Sequence, residues 1–320
     1  MSKKLISIII PVFNEEENIP KIHLELLNVF DAQKSKYNFE VIFVDDGSLD
    51  KSPEILEKLT KRNKNIKYIQ FSRNFGKEIA TSAGIHNAKG DAAIMIDADL
   101  QHPPKLIPKF IEKWEAGADI VVGVRKNNDC EAKFKRFCSF IYYKIMNRIG
   151  KTHITPNATD YRLIDKKVIK AFNRFTERDR ITRGLLAWLG FKKEFIHFKT
   201  NPRESGKPTY SYLKLTKLAI SSIVSHSLFP LKFAGYLGII ITPVFGILGL
   251  FILIEDVILK DPMGLNTTGT AMLGVLLIFL VGIILMSLGL IALYIAEIQS
   301  EVINRPMYVI RKTGNMNGTV

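Results

Sequence analysis

The stretch AAIMIDADLQHPP, from Ala92 to Pro104, decides the fold. Five apolar residues come first, with no charge among them. Asp97 and Asp99 follow on alternate positions, and Pro103 and Pro104 close the turn. An apolar run of this kind, bounded by turn residues, reads as a strand buried on both faces. Proline is tolerated in the first turn of a helix, where its missing N–H has no partner to lose, so Pro104 to Ala116 reads as the helix that follows.

The same unit recurs through the first 125 residues. The runs Ile6–Val12 (ISIIIPV), Val41–Val44, Ile66–Phe71 and Ile120–Val124 read as further strands. Pro53–Leu59 and Lys77–Ala88 read as helices, and Asn14 to Glu17 can start another, with its acids favoured by the helix dipole. Strand–helix alternation predicts an α/β fold built on a parallel sheet covered on both faces, with ligands at the carboxyl ends of its strands. Three polar clusters fall at those ends: Asn14 with Glu15, Asp45 with Asp46, and Asp97 with Asp99.

Composition narrows the function. The chain has 320 residues with 47% hydrophobic and 24% charged, which excludes a disordered protein. Two cysteines, Cys130 and Cys138, exclude a disulfide scaffold and are too sparse for a zinc site. Neither GxxxxGK[ST] nor GxGxxG occurs, which disfavours ATPases and dinucleotide enzymes. Asp97 and Asp99 offer two hard oxygen ligands near one exposed edge, a donor set suited to Mg²⁺ or Mn²⁺ that keeps waters and takes phosphate oxygens besides.

Charge is concentrated in the first 232 residues and apolar mass in the last 90. Phe233–Ile254 carries no charge, and a second apolar run spans Pro262–Ala296. A bilayer core needs about 20 helical residues, so both read as transmembrane helices. The link between them holds Glu255, Asp256 and Asp261, whereas basic residues fill the N-terminal part and recur at Arg305, Arg311 and Lys312. The positive-inside rule then puts both termini in the cytoplasm, at a cell membrane. Met1–Lys4 runs straight into strand-like sequence, so no signal peptide is expected. The net charge of +14 is accounted for by the membrane, not by nucleic acid. The expected domains are a catalytic domain at 1–210 with a basic amphipathic segment at 133–151, an amphipathic helix at 211–232, transmembrane helices at 233–259 and 268–296, and a cytosolic tail at 297–320. Lys133, Lys135 and Arg136 in the first amphipathic segment, and Lys214 and Lys217 in the second, are placed to attract anionic headgroups and the phosphate of a lipid.

The motifs PVFNE (Pro11–Glu15), VDDGS (Val44–Ser48), RNFGK (Arg73–Lys77), DADLQHPP (Asp97–Pro104), VGVR (Val122–Arg125), DYRL (Asp160–Leu163), RGL (Arg183–Leu185) with Trp188, and RESGKPTY (Arg203–Tyr210) together resemble the family 2 glycosyltransferases of GT-A fold. Within them the chain is most similar to the polyprenyl-phosphate glycosyltransferases, the group that includes dolichol-phosphate mannose synthase and the bactoprenol glucosyltransferases. The paired C-terminal helices match the bactoprenol branch, so the resemblance spans nearly the whole chain. It implies that Pro11, Phe13, Glu15 and Asp46 line the base and ribose pocket, and that Lys77 belongs to the nucleotide-sugar site. It implies that Asp97 and Asp99 hold the metal with Gln101 beside it, and that Arg125, Arg203 and Lys207 meet phosphates. Asp160 matches the position proposed as catalytic base in the bactoprenol enzymes.

The reaction implied is inverting transfer from a nucleotide diphosphate sugar, UDP-glucose or UDP-N-acetylglucosamine, to undecaprenyl phosphate. A phosphate monoester is already anionic at neutral pH, with a second pKa near 6, so a strong base is less necessary than for a hydroxyl acceptor. Asp160 is then either the base or a group that orients the acceptor, in company with Arg162. A homo-oligomer, a flippase and a downstream transferase are the partners implied. The alternatives are a transferase acting on a glycolipid or polysaccharide hydroxyl, and a non-catalytic membrane-anchored partner protein. Processive synthases carry QxxRW, which is absent here.

Overall fold

The computed structural model describes residues 3–125, 157–177, 180–199, 269–303 and 305–316, together with positions 247 and 254. The expected amphipathic segments at 133–151 and 211–232 lie outside these residues, as does the first expected transmembrane helix apart from Ile247 and Ile254. The chain falls into two compact units: the sheet domain, to which the segment from Arg305 onward belongs, and a unit containing one long apolar helix.

The sheet domain follows the expected alternation closely. Its first half runs β1 (Lys4–Val12), α1 (Asn18–Gln33), β2 (Tyr37–Asp45), α2 (Ser52–Arg62), β3 (Ile66–Phe71), α3 (Lys77–Asn87), β4 (Ala92–Met95), α4 (Ile107–Glu115) and β5 (Ile120–Arg125). A short 3-10 turn, Pro104–Leu106, leads into α4, because the two prolines tighten the first turn. Then come β6 (Ala158–Asp165), α5 (Lys166–Phe172), α6 (Thr182–Trp188) and β7 (Lys193–Phe198). After the long helix α7 (Gly269–Val302), β8 (Ile310–Gly314) returns to the sheet.

The sheet order is β7-β5-β6-β4-β1-β2-β3-β8. Strands β1 to β5 and β7 run one way, while β6 and β8 run the other. The expectation of a parallel sheet therefore holds for the strands it was read from and is corrected by two antiparallel insertions. The chain steps from β1 to β2 to β3 in one direction and then crosses back to place β4 on the other side of β1. That reversal opens a crevice beyond the carboxyl ends of β1 and β4, where ligands of such sheets bind. The DADLQHPP turn leaves β4 at this point.

Alternation along β1 feeds two cores. Ile6, Ile8 and Ile10 face Ile19, Ile22, Phe110 and Trp114 of α1 and α4, while Ile9 meets Ile85 and Met95 on the opposite side. Helix α3 lies very close to the sheet through the small residues Ala80, Ala83 and Gly84. A Cβ at Gly84 would stand 2.2 Å from the Cγ2 of Ile9. This proximity fixes where the first residue of α3, Lys77, is held.

The last strand was not legible as one. Tyr308 stacks on Phe71 with ring centroids 4.8 Å apart, and the side-chain amide of Asn315 donates to the carbonyls of Thr60 and Ile66 at 2.7 and 2.9 Å. The segment expected only as a tail thus closes the open edge of β3.

Helix α7 has 34 residues, about 51 Å at 1.5 Å per residue. It extends beyond the expected end at 296, and its sequence holds no charged residue from Gly269 to Ala296. Leu273, Leu277, Ile284 and Leu288 are exposed on one face, Met286 and Leu293 on the opposite one. Over the residues whose side chains are described, no helix holds an unbroken stretch long and apolar enough to cross a membrane.

Glycine to alanine in a helix interior ordinarily stabilises by about 0.5–1 kcal/mol. Gly84→Ala is expected to do the reverse, costing about 1–3 kcal/mol by overpacking against Ile9. A melting temperature at or above that of the wild type would show that α3 can lift from β1 without penalty.

Candidate functional site

Three loops meet at the carboxyl ends of β1, β2 and β4. The turn after β1 is held to the turn after β2 by reciprocal bonds. Ser48 Oγ accepts from the amide of Asn14, and Asn14 Oδ1 accepts from the amide of Leu49, both at 2.9 Å. Asn14 takes a left-handed φ of 54°, which asparagine tolerates. Phe13 is left 42% exposed, and Pro11, two residues before it, is half-buried. The carboxylate of Glu15 accepts from the Asn18 side chain at 2.6 Å.

Asp46 has a more particular task than its motif suggests. It is almost fully buried, and its oxygens accept from the amides of Phe75 at 2.7 Å and Gly76 at 2.9 Å. Burial pushes its carboxyl up to about 6, against the pull of those two amides. The loop of Arg73 to Gly76 is thereby tied to the end of β2. Gly47 lies against the same loop with φ +73°, and a Cβ there would stand 2.5 Å from the carbonyl carbon of Arg73. Asp45 is likewise buried, accepting from the amide of Ser48 at 3.0 Å. The middle acidic pair therefore organises loops, and the outer clusters remain nearer solvent.

Lys77 opens α3 directly after this loop. Its ammonium lies 2.7 Å from Asp97 Oδ1 and 3.3 Å from Asp160 Oδ2, so it joins β4 to the start of the antiparallel strand β6. Arg183 of α6 reaches the same carboxylate, with Nη2 at 3.3 Å from Oδ1 and 3.4 Å from Oδ2. Buried Arg162, two residues along β6, donates from Nε to the carbonyl of Thr159 at 2.9 Å. Burial alone would raise the Asp160 carboxyl, but Lys77, Arg183 and Arg162 overcome it and hold it well below the usual carboxylate range. Alternation along β6 explains the pairing: Asp160 and Arg162 share one face, while Tyr161 and Leu163 enter the core.

The turn after β4 is braced from below. Tyr161 donates its hydroxyl to the carbonyl of Pro103 at 3.1 Å and stacks on His102 at 5.3 Å. His102 is buried and accepts from the amide of Asp97 at 3.4 Å; burial lowers its pKa, which keeps the ring neutral. Asp99 Oδ1 accepts from the Gln101 amide at 3.2 Å, and Gln101 Oε1 accepts from Arg125 at 3.4 Å. Asp99, Gln101 and Arg125 are thus linked in a chain of hydrogen bonds. Among the described residues no group of three or more His, Cys, Asp or Glu side chains forms a metal cluster. The donor chemistry suits a hydrated divalent ion nonetheless: two carboxylates, Asp97 and Asp99, leave one turn on alternate positions, and hard oxygen ligands of this kind are what such an ion takes. Arg203, Lys207, Lys133, Lys135, Arg136, Lys214 and Lys217 lie outside the described residues.

Sequence reasoning gave no role to Thr182, Glu78 or His102. The Thr182 amide is capped by Glu78 at 2.9 Å, which ties the start of α6 to α3 and brings Arg183 to Asp160. No local pattern announces a contact between residues 104 positions apart.

The model of the family described as glycosyl transferase family 2 matches residues 7–172. An uncharacterized glycosyltransferase of Synechocystis is 41% identical over 95% of this chain and 94% of its own. A prophage-derived bactoprenol glucosyl transferase of Shigella flexneri is 35% identical over 98% of this chain and 99% of its own. Among solved structures, a mannosyltransferase of Pyrobaculum calidifontis in complex with GDP-Man and Mn²⁺ has a TM-score of 0.46 at 17% identity, over 69% of this chain and 62% of that one.

Asp46 sets a pH dependence. The folded chain keeps its proton up to about pH 6, whereas the unfolded chain releases it near 3.8. Between those values the folded state binds more protons, so this group's contribution to stability is full below the lower value and is lost as pH rises through about 6. The melting temperature of the wild type minus that of Asp46→Asn, followed from pH 4 to 7, should therefore fall with rising pH. A difference that stays flat would exclude the buried carboxyl as its source.

Proposed function

The chain belongs to glycosyl transferase family 2, and from that premise we propose that it transfers a sugar from a nucleotide diphosphate sugar to undecaprenyl phosphate, with inversion at the anomeric carbon. What carries the reading is end-to-end similarity to a bactoprenol glucosyl transferase, at 35% identity over 98% of this chain, apolar C-terminal third included. UDP-glucose or UDP-N-acetylglucosamine is the donor proposed.

Each described part of the site has work to do in such a transfer. Phe13 and Pro11 take the base, and the Arg73–Gly76 loop, fixed by Asp46, borders the nucleotide. Asp97 and Asp99 would hold Mg²⁺ or Mn²⁺, with Gln101 beside them. Such an ion neutralises charge that develops on a diphosphate leaving group. Arg125 adds a cation on the same side. Lys77, Asp160 and Arg183, with Arg162 two residues along β6, adjoin Asp97, and an acceptor is proposed to approach there. Arg203 and Lys207 are proposed to meet the diphosphate.

The membrane setting belongs to the same proposal. An apolar helix 34 residues long with large side chains exposed on opposite faces suits lipid or other helices and not water. The strand after this helix returns to the sheet domain and pairs with β3. That return supports an even number of crossings, hence two helices with the catalytic domain and both termini in the cytoplasm. A homo-oligomer, a flippase for the lipid-linked sugar and a downstream transferase complete the proposal.

Purified protein incubated with undecaprenyl phosphate, Mg²⁺ or Mn²⁺ and radiolabelled UDP- and GDP-sugars should pass label to the organic phase from one donor. Asp99→Ala should lower this on the order of 10²–10³-fold, the scale seen when one electrostatic stabiliser of a transition state is removed. No label from any donor, with folded protein and dispersed lipid, would sink the reading. The topology is checked separately in sealed cells. A membrane-impermeant thiol reagent should reach a cysteine placed at Lys260 and spare the native Cys130 and Cys138; labelling of the native pair alone would invert the orientation.

A further inference from the structure

The loop Arg73–Gly76 is held from two sides. Asp46 grips the amides of Phe75 and Gly76 and so fixes its backbone. The other hold comes from the segment that follows α7 in the chain and belongs to the sheet domain. The carbonyl of Val309 accepts from the amide of Ser72 at 2.9 Å, one residue before the loop begins. Tyr308 stacks on Phe71, with the ring planes 20° from parallel. Phe71 meets Phe75 edge to face, centroids 5.6 Å apart. The guanidinium of Arg73 lies 4.0 Å from the centroid of the Phe75 ring. Three rings and a cation thus form one row, from the last segment of the chain to an exposed residue of the loop. Stacked and edge-to-face pairs are directional, so each ring constrains the next. The segment is fastened at its far end as well: Lys312 pairs with Glu57 at 2.8 Å, and Asn315 donates to Thr60 and Ile66. Covering the edge of β3 asks nothing of Tyr308, because strand pairing starts at Ile310, opposite Phe71.

We propose that Tyr308 is a positioning residue of the donor site: through Phe71 and Phe75 it sets the side chains of the loop against which the nucleotide binds. The proposal rests on the reading that this loop borders the nucleotide. Tyr308 takes no part in bond making and acts at second hand. The two amide bonds to Asp46 settle where the loop backbone runs. The Phe75 ring, and the guanidinium resting on it, take their direction from Phe71 and so from Tyr308. Nucleotide affinity therefore depends on a residue that lies beyond the long apolar helix in the chain. The same row adjoins the start of α3, since Gly76 is followed directly by Lys77.

The test separates positioning from mere stability. UDP and GDP are titrated calorimetrically into the full chain in detergent with Mn²⁺, and kcat and KM are measured for both substrates. Tyr308→Leu is expected to weaken binding of the tighter nucleotide about fivefold and to raise KM for the sugar donor equally, with kcat and KM for undecaprenyl phosphate within about twofold, the scale of a residue coupled to a site through its neighbours. Tyr308→Phe keeps the ring and should bind as the wild type does. Asn315→Ala loosens the same segment without touching the row of rings. It should lower the melting temperature and leave nucleotide affinity unchanged. In a Phe75→Leu background, where the row is already cut, Tyr308→Leu should cost nothing further. Full nucleotide affinity in Tyr308→Leu would overturn the proposal. So would an Asn315→Ala chain that loses as much affinity for the same loss of melting temperature, or additive losses in the double variant. A wild type that binds neither nucleotide would defeat the transfer reading and this role with it. Nucleotide binding that depends on Tyr308, with no sugar reaching any polyprenyl phosphate, would sustain the positioning role and defeat the acceptor reading alone.

Discussion

One ammonium group holds the site together. Lys77 lies between Asp97, two residues past the end of β4, and Asp160, near the start of β6, which runs the other way. Without a cation at that point two carboxylates would face each other across a partly buried gap, at a Coulomb cost of several kcal/mol for an effective dielectric near 20. The ammonium is where it is because of distant packing. Small residues let α3 lie against β1, and the buried carboxylate of Asp46 fixes the loop that leads into it. A site that looks like a list of polar residues is thus set by the fit of a glycine against an isoleucine.

Much of this was readable in the sequence, and the reason is physical. Strands buried on both faces are continuous apolar runs, so β1, β2, β3, β4 and β5 each stood out. Their polar ends mark the site edge. The turn Asp97 to Pro104 could be read whole because its chemistry is local. What escaped was whatever depends on partners far along the chain. β6 mixes Asp160 and Arg162 with Tyr161 and Leu163, and this alternation does not look like its apolar neighbours. β8 reads IRKTG, a half-exposed edge strand with little hydrophobic signal. Asp46 was legible as a site residue, but not as a buried acceptor for the amides of Phe75 and Gly76, because nothing in VDDGS tells which donors will arrive.

The arrangement also separates two kinds of acid. Asp45 and Asp46 spend their oxygens on backbone amides and give loops a fixed shape. Asp97 and Asp160 face cationic side chains, Lys77 and Arg183. The first kind supplies preorganisation, and the second supplies charge that can be redistributed when another ion enters. A motif search counts all four alike.

The edge strand β8 has a consequence in time. It is the outermost member of the sheet, and it lies behind helix α7 in chain order. During synthesis the ribosome makes β1 to β7 first, then the long apolar helix, and only then the strand that covers β3. Until that moment the edge of β3 shows unpaired amides and Phe71 lacks the ring of Tyr308. The sheet domain cannot reach its finished form as a nascent N-terminal piece. It must wait, with one edge open, until the helix has emerged and the last residues can turn back to it.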